Sequence, residues 1–178
     1  MEYVYLVTSL PRLELTGAPP FTSDELLAAC DGLLRRDHWE DLRALLEDRP
    51  REVRAPEARR LVRAETQLRE ALARLRARRA GVEYGAAPGR QAEPDASATA
   101  AAARALAVAD PLERELILDN YRWALLETAA SQSTFGVQAV FAYALKLRLV
   151  EKWSGLSVEA GLDVATRVVE ACLAGVSL

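Results

Sequence analysis

The chain has 178 residues, 51% of them hydrophobic and 28% charged, which is enough for one apolar core and excludes wholesale disorder. Aromatic residues make up only 6%, against 33 Ala and 28 Leu, a balance that favours closely packed helices over a β-sandwich or barrel. A formal net charge of −3 excludes a global basic field that would draw the chain to nucleic acid or anionic lipid.

In chain order, Tyr3 to Leu10 is an apolar run that reads as a short strand by composition or as a first buried helix by context. Pro11 and the Gly17-Ala18-Pro19-Pro20 stretch break it. Thr22 with Glu25 then forms a capping signature for a helix from about Ser23 to Arg35, with Leu26, Leu27, Cys30, Leu33 and Leu34 on its buried face. Asp37-His38-Trp39-Glu40 repeats the same start, and Leu42, Leu45 and Leu46 carry the stripe to a stop near Pro50. These two short helices are expected to pair antiparallel.

A long helix follows, with Pro56 in its first turn and an end near Arg79. Residues 51–79 hold ten Arg against four Glu, a local +6 that leaves −9 for the remainder, so the charge is segregated. Leu61, Leu68, Leu72 and Leu75 make a narrow stripe, and Glu65 stands where the heptad asks for an apolar residue. Such a helix reads as solvated and packed by one edge. Its functional alternative is a docking surface for an acidic partner, carried by Arg59, Arg60, Arg63, Arg69 and Arg74.

Residues 80–105 break the composition, first as a Gly- and Pro-containing loop expected to be flexible and then as an Ala-rich tract expected to be a weak helix. Asp110-Pro111-Leu112-Glu113 signals a strong helix start, and that helix should reach about Ser131. After a break at 131–134, Phe135 to Trp153 is apolar nearly all round, and Ser157 caps a last helix, Val158 to Ala174. The two long apolar helices, about 111–131 and 135–153, are expected to form a central antiparallel hairpin in a single all-α bundle spanning 1–178. Opposed positions would then set Asp119 beside Lys146 and Arg148, and Arg114 beside Glu151 and Lys152, as structural ion pairs.

No catalytic, cofactor or metal residues emerge. A Ser-His-Asp or Cys-His arrangement could be built only on His38, which the first turn of a helix beside Trp39 marks as a packing residue. Cys30 and Cys172 stand without a Cys or His at ligand spacing and read as small core residues in a reducing cytoplasm. No Gly-rich loop carries the Lys-Ser/Thr that would hold phosphate, and carboxylate pairs such as Glu113 with Glu115 belong to helix starts. The basic helix lacks interleaved aromatics for base stacking. The N-terminus has no signal-peptide pattern, and no window of 18 residues is free of charge, so a cytoplasmic protein without a membrane span is expected.

Two stretches resemble a known family. Tyr3-Val4-Tyr5-Leu6-Val7-Thr8-Ser9-Leu10-Pro11 with Phe21-Thr22, and Phe135, Val140 to Arg148 and Glu151-Lys152-Trp153, resemble the two ends of a bacterial family encoded in V-type (A/V-type) ATP synthase operons. That family is distantly like the all-helical V-type ATPase component that seats the central rotor stalk on the membrane ring. The resemblance covers roughly the first 45 and last 70 residues. It implies a non-catalytic component or assembly factor of a V-type ATPase, with stalk or ring subunits as partners and a location peripheral to the membrane. The chain is shorter than a complete stalk-seating component. The rival reading is a free-standing helical adaptor or regulatory protein that dimerises through the Leu stripe of the Arg-rich helix.

Overall fold

Helix starts and stops follow local chemistry in the computed structural model, which describes residues 3–85 and 95–156. Among these the chain forms seven α-helices and no strand: α1 Val4–Ser9, α2 Ser23–Cys30, α3 Arg36–Leu46, α4 Pro56–Ala80, α5 Ala96–Ala107, α6 Pro111–Gln132 and α7 Val137–Ser154. The protein is an all-α multi-helix bundle. The N-terminal apolar run is therefore helix, not strand. Residues 86–94 of the expected loop, Cys172 and the expected last helix with its Ser157 cap lie outside the described residues.

The capping box of α2 forms as its sequence asks: the Glu25 amide donates to Thr22 Oγ1, and the Thr22 amide donates to Glu25 at 2.7 Å. The helix ends five residues earlier than its apolar spacing suggests. Gly32 turns the chain with φ 76°, which swings Leu33 into solvent at 52% exposure and returns Leu34 to the core. At α3 the expected Asp-x-x-Glu cap does not form. Asp37 instead takes the Arg35 guanidinium, and no side chain caps the helix start.

No side chain caps α4, and the chain entering it is held from a distance. Ala55 and Pro56 offer no acceptor, and the buried Asp41 of α3 accepts from the amides of Arg54 and Ala55, both at 2.7 Å. α4 closes on Gly81 in the left-handed region with φ 68°, where the Val82 amide reaches back to Ala77. Asp110 caps α6 through the Leu112 amide, as its sequence predicts.

Two apolar clusters make the interior. The first joins α1, α2, α3 and the beginning of α4 to α7, through Leu6, Leu26, Leu42, Leu61, Phe141 and Leu147. The second joins the end of α4 to α5 and the first half of α6, through Leu68, Leu72, Ala98, Ala101, Ala102 and Leu118. Alanines let α5 pack closely between its neighbours, so the Ala-rich tract is a packed helix and not a weak one.

The hairpin of α6 and α7 is present, since Lys146 meets Glu127 while Lys152 meets Glu115. Its two halves are not equivalent. α7 is buried on nearly every side, with Val140, Phe141, Ala142, Ala144, Leu147 and Val150 fully covered. On α6 only Leu118, Asp119 and Leu126 are buried, and Leu112 is 55% exposed. The centre of the fold is therefore one rod, α7, with α6 laid along its side.

Candidate functional site

Between the two clusters lies a knot of charge. Glu65 falls on α4 between Leu61 of the first cluster and Leu68 of the second, and Asp119 and Arg122 fall on α6 between Leu118 and Leu126. The apolar stripe breaks at 65 because that position faces the knot. Asp119 is 0% exposed, and both its oxygens are taken. Oδ1 accepts from Arg122 Nη1 at 2.7 Å, and Oδ2 accepts from Lys152 Nζ at 2.7 Å and Trp153 Nε1 at 2.9 Å. Arg122 forks onto Glu65, with Nε at 2.9 Å and Nη2 at 3.1 Å, while Lys152 also reaches Glu115 and Arg69 reaches Glu65. The set ties α4, α6 and α7 together.

Burial alone would raise the Glu65 carboxyl, but the bonds and charges of Arg122 and then Arg69 outweigh it and hold it below its ordinary value. Burial would likewise weaken the Arg122 cation, and Glu65 and Asp119 reverse that and hold its proton more firmly. Chemically the knot is a fastener. A general base needs an open lone pair facing substrate, and Asp119 has its acceptors occupied by three donors.

The knot forms one wall of a groove of about 550 Å³ between the end of α3 and helices α4, α6 and α7. Leu45, Leu61, Leu125, Leu145 and Leu149 supply its apolar surface, and Arg148 lies among them. Arg148 donates to the Leu45 carbonyl at 3.1 Å, closing the end of α3. A second groove of about 610 Å³ runs between the segment Val7–Leu15 and the hairpin, where Lys146 stands 4.1 Å from the Trp123 ring and meets Glu127.

The expected ion pairs need correction. Asp119 is not the partner of Lys146 or Arg148, and Arg114 is not the partner of Glu151 or Lys152. Asp119 takes Lys152, Lys146 takes Glu127, and Arg148 takes a carbonyl. Arg114 donates to the Val108 carbonyl at 2.8 Å, and Glu151 accepts from the amide of Ser23 at 2.6 Å, tying α7 to the start of α2. Matching by level along two helices ignores azimuth: Glu115, Asp119 and Arg122 recur at i, i+4 and i+7 on the face toward Lys152, and Arg114 is turned about 100° away from it. Side chains also lean toward each helix's N-terminus, which in an antiparallel pair moves the meeting residues further along both chains.

Of the basic residues singled out on α4, Arg59, Arg60 and Arg63 are exposed. Arg59 also touches the Val53 carbonyl. Arg69 is committed to Glu65, and Arg74 is half-buried with its guanidinium 5.4 Å from the Tyr84 ring centre. The docking face thus narrows to three residues. The stripe expected to join two copies is occupied within the chain, since Leu61, Leu68 and Leu72 are buried in its own core. His38 is a packing residue: Nδ1 meets Tyr3 Oη at 2.8 Å, and the ring stands edge-on to Tyr3 and Phe141. Sequence reasoning missed Glu65, Glu115, Arg122 and Trp153 as members of the knot. Only the interrupted heptad at Glu65 signalled it.

Among the described residues no group of three or more His, Cys, Asp or Glu could hold a metal ion, and no helix is long and apolar enough to cross a membrane. Residues 102–176 match a family described as "Protein of unknown function (DUF2764)". The match takes in the second half of α5 and all of α6 and α7, which includes the α6 and α7 share of the knot. It covers less than half of the chain, and its description carries no activity and no tie to the stalk-seating component of V-type ATPases. No curated protein and no solved structure matches the chain.

Proposed function

We propose that the protein is a non-catalytic helical component or assembly factor that holds other proteins, and that its assembly is a V-type ATPase or ATP synthase. The observation that carries the holding role is the contrast between two sets of charges. The charges of the knot are matched to one another, whereas Arg59, Arg60 and Arg63 project from one side of α4 without a carboxylate partner among the described residues. Unmatched guanidinium groups on a rigid helix suit carboxylates of a partner surface, where the planar fork gives orientation as well as charge.

The V-type assembly rests on the family resemblance of the N-terminal run and of the 135–153 stretch. Those stretches form α1 and the buried α7, so the resemblance bears on the frame and not on the Arg face. Joint reversal of Arg59, Arg60 and Arg63 to Glu tests the reading. All three are exposed, so helicity should stay at the wild-type level. Co-purification with central-stalk or ring subunits should fall about tenfold or more, as expected for lost charge pairs across an interface. Undiminished co-purification would overturn it.

A further inference from the structure

The groove beside the knot carries one cation that no carboxylate among the described residues answers. Its walls carry the carboxylates Glu65, Glu115 and Asp119, and each is matched by Arg122, Lys152 or Arg69. Arg49 at its edge is matched by Glu47 and Glu52, and Asp48 is exposed at the rim. Arg148 is different. It is half-buried among leucines, one of its nitrogens serves the Leu45 carbonyl, and among the described residues no carboxylate meets it. A guanidinium offers five donors, and one withdrawn from water without a counter-charge favours an anion that can reach it.

The surroundings limit what that anion can be attached to. Leu125 of α6 and Leu145 and Leu149 of α7 are only half-buried, and their apolar surface suits the apolar side chains of a docked helix. We propose that this groove receives an acidic amphipathic helix of a partner protein, its apolar edge on the leucines and one carboxylate on Arg148. The proposal rests on the assembly reading above and gives it a second contact, separate from the exposed Arg face.

The test uses the full chain and a synthetic helical peptide with a Leu stripe flanked by Glu. The controls carry Lys in place of Glu, or Ser in place of Leu. Binding is read by fluorescence anisotropy, and its place by NMR of Leu methyl groups. The Glu peptide should bind and shift the Leu145 and Leu149 signals, and both controls should fail. Arg148→Met should weaken binding about tenfold or more, the size expected for one charge-assisted hydrogen bond, and Arg148→Lys should keep most of it. Leu149→Glu, which brings negative charge into the groove by another route, should also abolish binding and covers the case in which Arg148→Met unfolds.

Absence of binding, equal binding of the Lys peptide, shifts confined to other leucines, or indifference to Arg148→Met in a folded chain would each overturn the proposal. So would self-association that shifts the same methyl signals without peptide, which would make a second copy the occupant. Failure here with co-purification still dependent on Arg59, Arg60 and Arg63 removes the groove helix and leaves the assembly reading standing. Loss of that dependence with peptide binding intact does the reverse.

Discussion

Asp119 is the residue on which the interior depends most, because it is a carboxylate removed from water and held by a guanidinium, an ammonium and an indole. Its replacement by Ala leaves Arg122 and Lys152 without that counter-charge, and urea denaturation should show a loss of about 3–5 kcal/mol. A loss under about 1 kcal/mol would mean that both cations relax to solvent at little cost. Glu65 gives the knot a pH dependence whose sign is fixed. Its folded carboxyl lies below the ordinary 4.5, so its contribution is complete above that pH and is lost as pH falls through the lower folded value. The melting temperature should therefore decline on acidification below about pH 4.5, and Glu65→Gln should flatten that part of the profile. Cys30 is buried and its thiol is pushed up to about 11, so a thiol reagent at neutral pH should label it in urea and not in the native protein. At this scale the sequence showed that Glu65 interrupts an apolar stripe. It could not show Arg122 as the partner, because the bond joins residues far apart in the chain and depends on helix azimuths fixed only by packing.

Helix boundaries were readable where one residue carries the cap and unreadable where tertiary contact holds the entering chain. Thr22 with Glu25 and Asp110 with Leu112 are local devices, and both form as read. α4 begins with no side-chain cap, and Asp41 of α3 holds the two amides that lead into it. Asp41→Ala leaves those two amides without their acceptor and should cost about 1–3 kcal/mol in thermal or urea unfolding, whereas an unchanged midpoint would show that water replaces it. The Ala-rich tract was underrated for a similar reason. Alanine carries little apolar surface, so α5 reads as weak alone, yet Ala101, Ala102 and Ala105 are fully buried against its neighbours. Ala101→Leu should overfill that contact and destabilise by about 1–3 kcal/mol, and a neutral result would place α5 further from α4 and α6 than described.

At the scale of the molecule, an all-helical bundle with an antiparallel hairpin followed from composition, from periodicity and from the short break between α6 and α7. The division of labour within the hairpin did not. Both helices are apolar around most of their circumference, and nothing in either sequence says that α7 is enclosed while α6 keeps a solvent face. That depends on where α1, α2 and α3 pack, which is a matter of long-range contact. The arrangement suits a frame: an enclosed rod, a charge knot at the seam between two apolar clusters, and an unmatched basic face beside an open groove. The most direct measurement of the holding role is the native mass of the full chain in a gently prepared extract of its own cells, with the co-eluting proteins identified. The chain is expected in a complex far above its own 19.5 kDa together with V-type stalk or ring subunits. Elution at its own mass or at twice that mass, free of those subunits, would contradict it.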